Sequence, residues 1–194
     1  MVAAQQTSGT YVAMTYLDRE RALAIVTDDD SRRYELLGGE EFVSPSPTTG
    51  HQMVSGNAYF VIRAFASPRN LGRVFTAPTD VRLSAYDVLV PDLCFVSGER
   101  SSIIGKMAIE GPPDLVVEIL SPSTQRQDQV RKFALYAARG IRENWLIDIE
   151  TRGLTIYSLR DGQYVALPMQ DGMVASVVVP RLVVTVSDLF EGLP

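Results

Sequence analysis

Histidine and cysteine are nearly missing from this 194-residue chain, which has one of each, His51 and Cys94. One copy therefore cannot build a zinc cage of four nitrogen or sulfur ligands, nor close an internal disulfide. A Ser-His-Asp triad would have to use His51, and no G-x-S-x-G turn supplies its serine. Lysine is almost as scarce: Lys106 and Lys132 stand alone against sixteen arginines. No apolar run approaches the roughly 20 residues that cross a bilayer, so no membrane partner is expected. The first ten residues lack the basic region and apolar block of a secretory leader, and a cytoplasmic location is the expectation. The nearest thing to a phosphate-cradling loop, Gly98 to Met107, has six residues rather than four before Gly105-Lys106, and Met107 replaces the required hydroxyl. Any catalytic metal would have to sit on carboxylates, which suits Mg²⁺ or Mn²⁺.

What the chain does have is apolar mass. With 46% hydrophobic and 21% charged residues it can bury a core, and at roughly 150 residues per domain the length predicts one domain over 1–194, with 1–15 loose. The net charge of −5 is unevenly spread. Residues 1–50 carry −4, residues 63–82 carry +3 and residues 124–142 carry +4. A local basic surface on an acidic protein suits nucleic acid, and equally suits a solvated helix face.

Leu17 to Val26 reads as a short helix closed by Asp28-Asp29-Asp30. Arg33 to Leu37 and Glu40 to Val43, joined by Gly38-Gly39, read as a hairpin. Val54, Ala58, Val61 and Phe65 form the stripe of a helix that carries His51 in its first turn. Val74 to Ala77, Val81 to Ser84, Val88 to Val96, Asp114 to Leu120 and Trp145 to Ile149 read as strands around a central sheet. Between the last two, a helix from about Thr124 to Arg139 has Thr124 and Gln127 in capping-box spacing, a stripe of Val130, Phe133, Ala134 and Ala137, and Gly140 as its stop. Strand, helix and strand in that order predict a right-handed crossover. Short strands follow, with turns at Asp161-Gly162 and Asp171-Gly172.

Two acids stand where they are expensive. Asp92 lies within the apolar run Val88 to Val96, and Glu118 alternates with Leu115, Val117 and Ile119. An ionised carboxylate in such a place needs a cation, a hydrogen-bonded strand end or a metal. Asp114 and Glu118, about 13 Å apart along one strand, cannot share an ion; Asp92 and Glu118 can, if their strands are neighbours about 4.8 Å apart. Lys132 follows Glu118 on the next helix, either as the cation of such a site or as half of a surface pair with Asp128. Asp148 reads as a turn residue, and Tyr136 and Trp145 as core.

Val90-Pro91-Asp92-Leu93, the run Pro113-Asp114-Leu115-Val116-Val117-Glu118-Ile119-Leu120-Ser121-Pro122-Ser123-Thr124, then Lys132, Tyr136, Gly140 and Trp145-Leu146-Ile147-Asp148 resemble the Uma-type family. That family is described as restriction endonucleases within the PD-(D/E)xK nuclease superfamily. Tyr34-Glu35-Leu36, Gly39-Glu40 and the helix opening with His51 fit as well, and the likeness spans about residues 16–190. It implies an α/β fold with a restriction-endonuclease-like core: a mixed central sheet flanked by helices, with an N-terminal hairpin and short C-terminal strands. It also implies that Asp92 and Glu118 hold the metal and that Lys132 completes the catalytic set. The superfamily's lysine, expected two residues after the glutamate, is Leu120 here, and in families like this one its role moves to the following helix. The first helix offers no acid, so an auxiliary glutamate would come from Glu40 or Glu41.

The function implied is Mg²⁺-dependent or Mn²⁺-dependent hydrolysis of DNA by a homo-oligomer, a homodimer in the simplest case. His51, Arg126 and Arg131 are expected to contact substrate, with a helix-cap or packing role open for His51. No dedicated sequence-reading domain is visible, which favours broad preference. Two other readings stand beside this one: a catalytically degenerate module that binds nucleic acid or protein, and a structural dimer whose apolar strands pair across subunits.

Overall fold

The computed structural model describes residues 33–44, 46–120 and 126–194. The expected loose start, the helix at 17–26 with its acidic turn, and the Thr124 cap lie outside these residues. The chain enters as the expected hairpin, β1 (Arg33–Leu37) and β2 (Glu40–Ser44). Gly38 and Gly39 turn between them with φ of +63° and +78°. Two successive positive φ values make a type I′ turn, which glycine adopts without penalty.

Helix α1 (Thr49–Ala66) follows, capped by the Thr48 hydroxyl, which accepts the His51 amide at 3.2 Å. Its inward face is His51, Val54, Ala58, Ile62 and Ala66. Gly56 sits mid-helix on the opposite side, where a Cβ would meet nothing within 4 Å. Glycine there costs about 1 kcal/mol against alanine, with no packing reason for it.

One expectation fails at the next step. The run Val88 to Val96 is not one strand: β5 (Val88–Leu89) and β6 (Leu93–Ser97) belong to different sheets, and Pro91-Asp92 is the crossing between them. Proline has no N–H for a ladder, so pairing stops where the chain changes sheet. The strands divide between two larger sheets, of which one is the expected mixed central sheet. With β3 (Gly72–Thr76), β4 (Asp80–Arg82), β7 (Ala108–Glu110), β8 (Leu115–Leu120), β9 (Glu143–Asp148), β10 (Gly153–Arg160) and β11 (Gln163–Ala166), the chain builds a five-stranded sheet, β2-β1-β5-β4-β7, and a six-stranded one, β11-β10-β9-β8-β6-β3. The larger sheet is mixed: β8 and β9 run parallel and its other pairs antiparallel.

The parallel pair is joined by α2 (Arg126–Ala138), the expected crossover helix. Its expected stripe is off by part of a turn. Val130 is 67% exposed and Ala134 is also exposed, whereas Tyr136 is fully buried. Phe133 meets Tyr157 and Tyr164 with ring centroids 4.8 Å away in each case. The larger sheet thus has two covered faces. On one, α1 packs over Leu93, Phe95, Val117, Trp145 and Ile156. On the other, Cys94, Val96 and Val116 meet Tyr136 of α2 and Val81, Leu89 and Ile109 of the smaller sheet. Burial pushes the Cys94 thiol up to about 12, so it is inert as a thiolate at neutral pH.

The turns at Asp161-Gly162 and Asp171-Gly172 form as expected, and β12 (Met173–Ala175), β13 (Val183–Thr185) and α3 (Val186–Leu189) close the chain. Glu143 fastens this end to the sheet. It is fully buried and accepts four hydrogen bonds, from Trp145 Nε1, Ser176 Oγ and the amides of Val177 and Val178, at 2.6–3.0 Å. Asp114 is likewise saturated, by the Ser97 amide, Arg100 and Arg142. Burial alone would raise its carboxyl, but these donors outweigh it and the group lies below the usual range. Asp148 accepts the amides of Glu150 and Thr151, as a turn residue should.

Replacing Glu143 with alanine leaves those donors unpaired at about 1–3 kcal/mol each, partly recovered by water. Urea unfolding, followed through the fluorescence of Trp145, should show a loss of at least about 3 kcal/mol, and Glu143→Gln a smaller one.

Candidate active site

At the far end of β8 from Asp114, the strands deliver acids to one place. Leu93 of β6 pairs with Val117 of β8, so Asp92 and Glu118 are the next residues in the same antiparallel register. The expected adjacency of the two acids therefore holds, though Asp92 reaches the site from the sheet crossing and not from mid-strand. Asp92 is buried; its Oδ2 accepts the Ile119 amide at 2.8 Å and lies 3.2 Å from His51 Nε2. A carboxylate can only accept, so this contact places the imidazole proton on Nε2. His51 is both the residue whose amide is capped by Thr48 and a side-chain partner of Asp92.

Glu118 shares a face of β8 with Val116, turned toward α2. Its Oε1 accepts the Tyr136 hydroxyl at 2.6 Å and lies 3.8 Å from Lys132 Nζ. Lys132 and Tyr136 are four residues apart on α2 and so stand on one side of it. The lysine side chain is 17% exposed, in keeping with a site cation and not with a solvated surface pair.

The third acid is not where the sequence pointed. Glu40 pairs with Arg131 at the surface, 2.8 Å away, and Glu41 is exposed. The glutamate beside Lys132 is Glu35 of β1, with Oε2 2.8 Å from Nζ and Oε1 accepting the Val90 amide at 2.7 Å. Alternation hid it, because Glu35 between Tyr34 and Leu36 reads as the outward residue of a half-buried strand. The available signal was the acid inside an otherwise apolar hairpin. Tyr136 was legible as core but not as the partner of Glu118; its i, i+4 spacing from Lys132 carried that information. Arg131 is exposed, its guanidinium lies over the Phe42 ring at 4.9 Å, and it is held by the β1–β2 hairpin outside the acid cluster. Arg126 opens α2 with its side chain outside the described residues.

Among the described residues, Glu35, Asp92 and Glu118 face one ammonium, that of Lys132. Burial pushes the Glu118 carboxyl up to about 7, the Asp92 and Glu35 charges push the same way, and the Lys132 ammonium and the Tyr136 hydrogen bond only partly offset them. Lys132 is held above its ordinary range by Glu118 and Glu35 despite its own burial.

A hard divalent cation fits this donor set, since it takes carboxylate oxygens as ligands. Among the described residues no three His, Cys, Asp or Glu side chains converge into a complete cage. The protein would thus contribute Asp92 and Glu118, with water and substrate oxygens filling the remaining positions, as Mg²⁺ commonly does. An open-mouthed cavity of about 420 Å³ adjoins the cluster, with His51 and Asp92 in its wall.

Residues 15–187 match the profile of Uma2, described as "Putative restriction endonuclease". The chain belongs to the Uma2 family. Among solved structures it is similar to a crystal structure of "a putative nuclease belonging to DUF820" from Anabaena variabilis ATCC 29413. That match has a TM-score of 0.74 and 19% identity, and covers 91% of this chain and 97% of that one. No curated protein matches. This member of Uma2 therefore has the restriction-endonuclease-like α/β core that the sequence implied. No helix among its described residues is long and apolar enough to cross a membrane.

The raised Glu118 carboxyl has a thermodynamic consequence. The metal-free fold holds this proton more tightly than the unfolded chain, where the group titrates near 4.5. Its contribution to stability is complete below about 4.5 and is lost as pH rises through about 7. Denaturant titrations in chelator at pH 5 and pH 8 should show wild type losing stability relative to Glu118→Gln on going to the higher pH. Parallel pH profiles for the two proteins would contradict the assigned burial.

Proposed function

We propose that this chain is a divalent-metal-dependent nuclease that hydrolyses phosphodiester bonds in DNA. The observation that carries the reading is the meeting of Glu118 on β8 with Asp92, the residue just before β6 in the same register, with the Lys132 ammonium 3.8 Å from Glu118. Family membership supports it, since Uma2 is described in terms of restriction endonucleases.

Hydrolysis adds a water oxygen to phosphorus and breaks one P–O ester bond, through a state with extra negative charge on the phosphoryl oxygens. Mg²⁺ or Mn²⁺ would supply Lewis-acid stabilisation of that charge, held by Asp92 and Glu118. The Ile119 amide and His51 fix the Asp92 carboxylate, and the Tyr136 hydroxyl fixes one oxygen of Glu118. Lys132 is the one ammonium in reach: it can steady the phosphate or orient the attacking water, while Glu35 holds it in place. Fixed donors need no reorganisation as charge develops, and for that reason they accelerate the step. One centre of this kind cuts one strand, so double-strand breaks would require two copies, the homodimer expected above.

Fluorescently labelled DNA incubated with the purified protein should be cleaved with Mg²⁺ or Mn²⁺ and left intact with chelator. Glu118→Gln should lower the rate at least about 100-fold while circular dichroism stays that of wild type. Unchanged cleavage in that variant refutes the assignment. The second reading, a binding module, is favoured by the shorter of the two lysine contacts, which goes to Glu35 rather than Glu118. DNA retained but never cut with either metal would select it.

A further inference from the structure

We propose that the cavity between α1 and the turn after β3 seats one unpaired nucleobase of a DNA strand, so that single-stranded DNA is the form that reaches the acid cluster. This rests on the nuclease reading and names the substrate form that the site takes. The cavity has about 420 Å³, within the range of small-ligand sites, and its wall includes His51, Gly56, Tyr59, Thr76, Pro78 and Asp92. Asp92 belongs to both the cavity and the cluster, so a base seated here belongs to a nucleotide adjoining the reacting phosphate.

Three features fit a base. Gly56 weakens α1, makes no close contact that demands glycine, and lies where an added side chain would stand in open space at the cavity mouth. A helix that keeps glycine there keeps the mouth open. Tyr59 offers an aromatic face, held in place by Arg63, whose Nη1 donates to the tyrosine hydroxyl at 2.9 Å with the guanidinium 5.6 Å from the ring centroid. Beyond it a second hollow, of about 260 Å³, is walled by Tyr59, Arg63 and Phe60, the last 70% exposed. Aromatic faces in succession beside arginine form the platform on which unpaired bases stack.

Charge agrees. From Thr49 to Ala66 there is no carboxylate, Arg63 is the only arginine, and Arg69 follows on the next turn. A polyanion can follow this face although the molecule as a whole repels it. Duplex DNA would first have to unstack and unpair a base, whereas a single strand presents one already.

Fluorescence anisotropy of the whole protein, in chelator so that nothing is cut, reads binding separately from cleavage. The probes are a labelled single strand of about 12 nucleotides, its duplex, and the same strand made abasic. The ordinary strand should bind about tenfold more tightly than either of the others. Gly56→Leu fills the cavity mouth with a better helix former and should weaken single-strand binding at least about fivefold; Tyr59→Leu should do likewise while keeping apolar packing. Both variants should leave duplex binding unchanged. Equal affinity for strand and duplex, or single-strand binding untouched by both substitutions, overturns the proposal even if DNA is cut. Base-dependent binding lost in Gly56→Leu upholds the proposal even if Mg²⁺ and Mn²⁺ bring no cleavage, an outcome that would overturn the nuclease reading alone.

Discussion

Three carboxylates gathered, among the described residues, around the Lys132 ammonium are the constraint around which the rest of this molecule is arranged. Each acid comes from a different part of the topology: Glu35 from the hairpin, Asp92 from the crossing between sheets, Glu118 from the central parallel pair. None could be kept in such a place alone, because removing an unpaired charge from water costs several kcal/mol. The fold meets that cost with main-chain amides of Val90 and Ile119, the hydroxyl of Tyr136, the ring of His51, and Lys132. The meeting of carboxylate oxygens from separate strands is what makes the cluster chemically interesting, since a divalent cation takes such oxygens as ligands.

The two other buried acids show what a purely structural carboxylate looks like in the same fold. Asp114 is saturated by two arginines and an amide, and Glu143 by four donors that tie the C-terminal segment to the sheet. Asp92, by contrast, stands in the wall of a cavity. The contrast lies in the surroundings: the two structural acids are cement between segments, whereas Asp92 lines a hollow that a ligand can enter.

Local signals in the sequence were read well where the physics is local. Gly38-Gly39 demanded a hairpin, the spacing of Val54 and Ala58 demanded a helix, and the apolar run around Glu118 demanded a buried strand next to a crossover. Asp92, Glu118 and Lys132 were named from the expense of charge within apolar sequence and from a family resemblance, and they do come together. What failed was non-local. Whether Val88 to Val96 stays in one sheet depends on Pro91 and on which neighbours are free to pair, and pairing across a chain cannot be counted along it. Glu35 was passed over because two-residue alternation gives it to solvent, and only the second sheet folding beneath α2 removes it from water. The helix stripe through Val130 was shifted for a related reason: Lys132 is polar by composition yet faces inward, so hydrophobicity mislocated the face.

The acids and the ammonium ride on different supports. Glu35 and Glu118 sit in ladders of main-chain pairing and Asp92 at the crossing between sheets, while Lys132 projects from a helix packed against them. One residue of helical register is about 1.5 Å along and about 100° around. A shift that small would exchange the ammonium for the side chain of Arg131 or Phe133, with the strands undisturbed. The seating of one rod against its neighbours thus works as a vernier on the reactive centre, and aromatic contacts as distant as that of Phe133 with Tyr157 help set its scale.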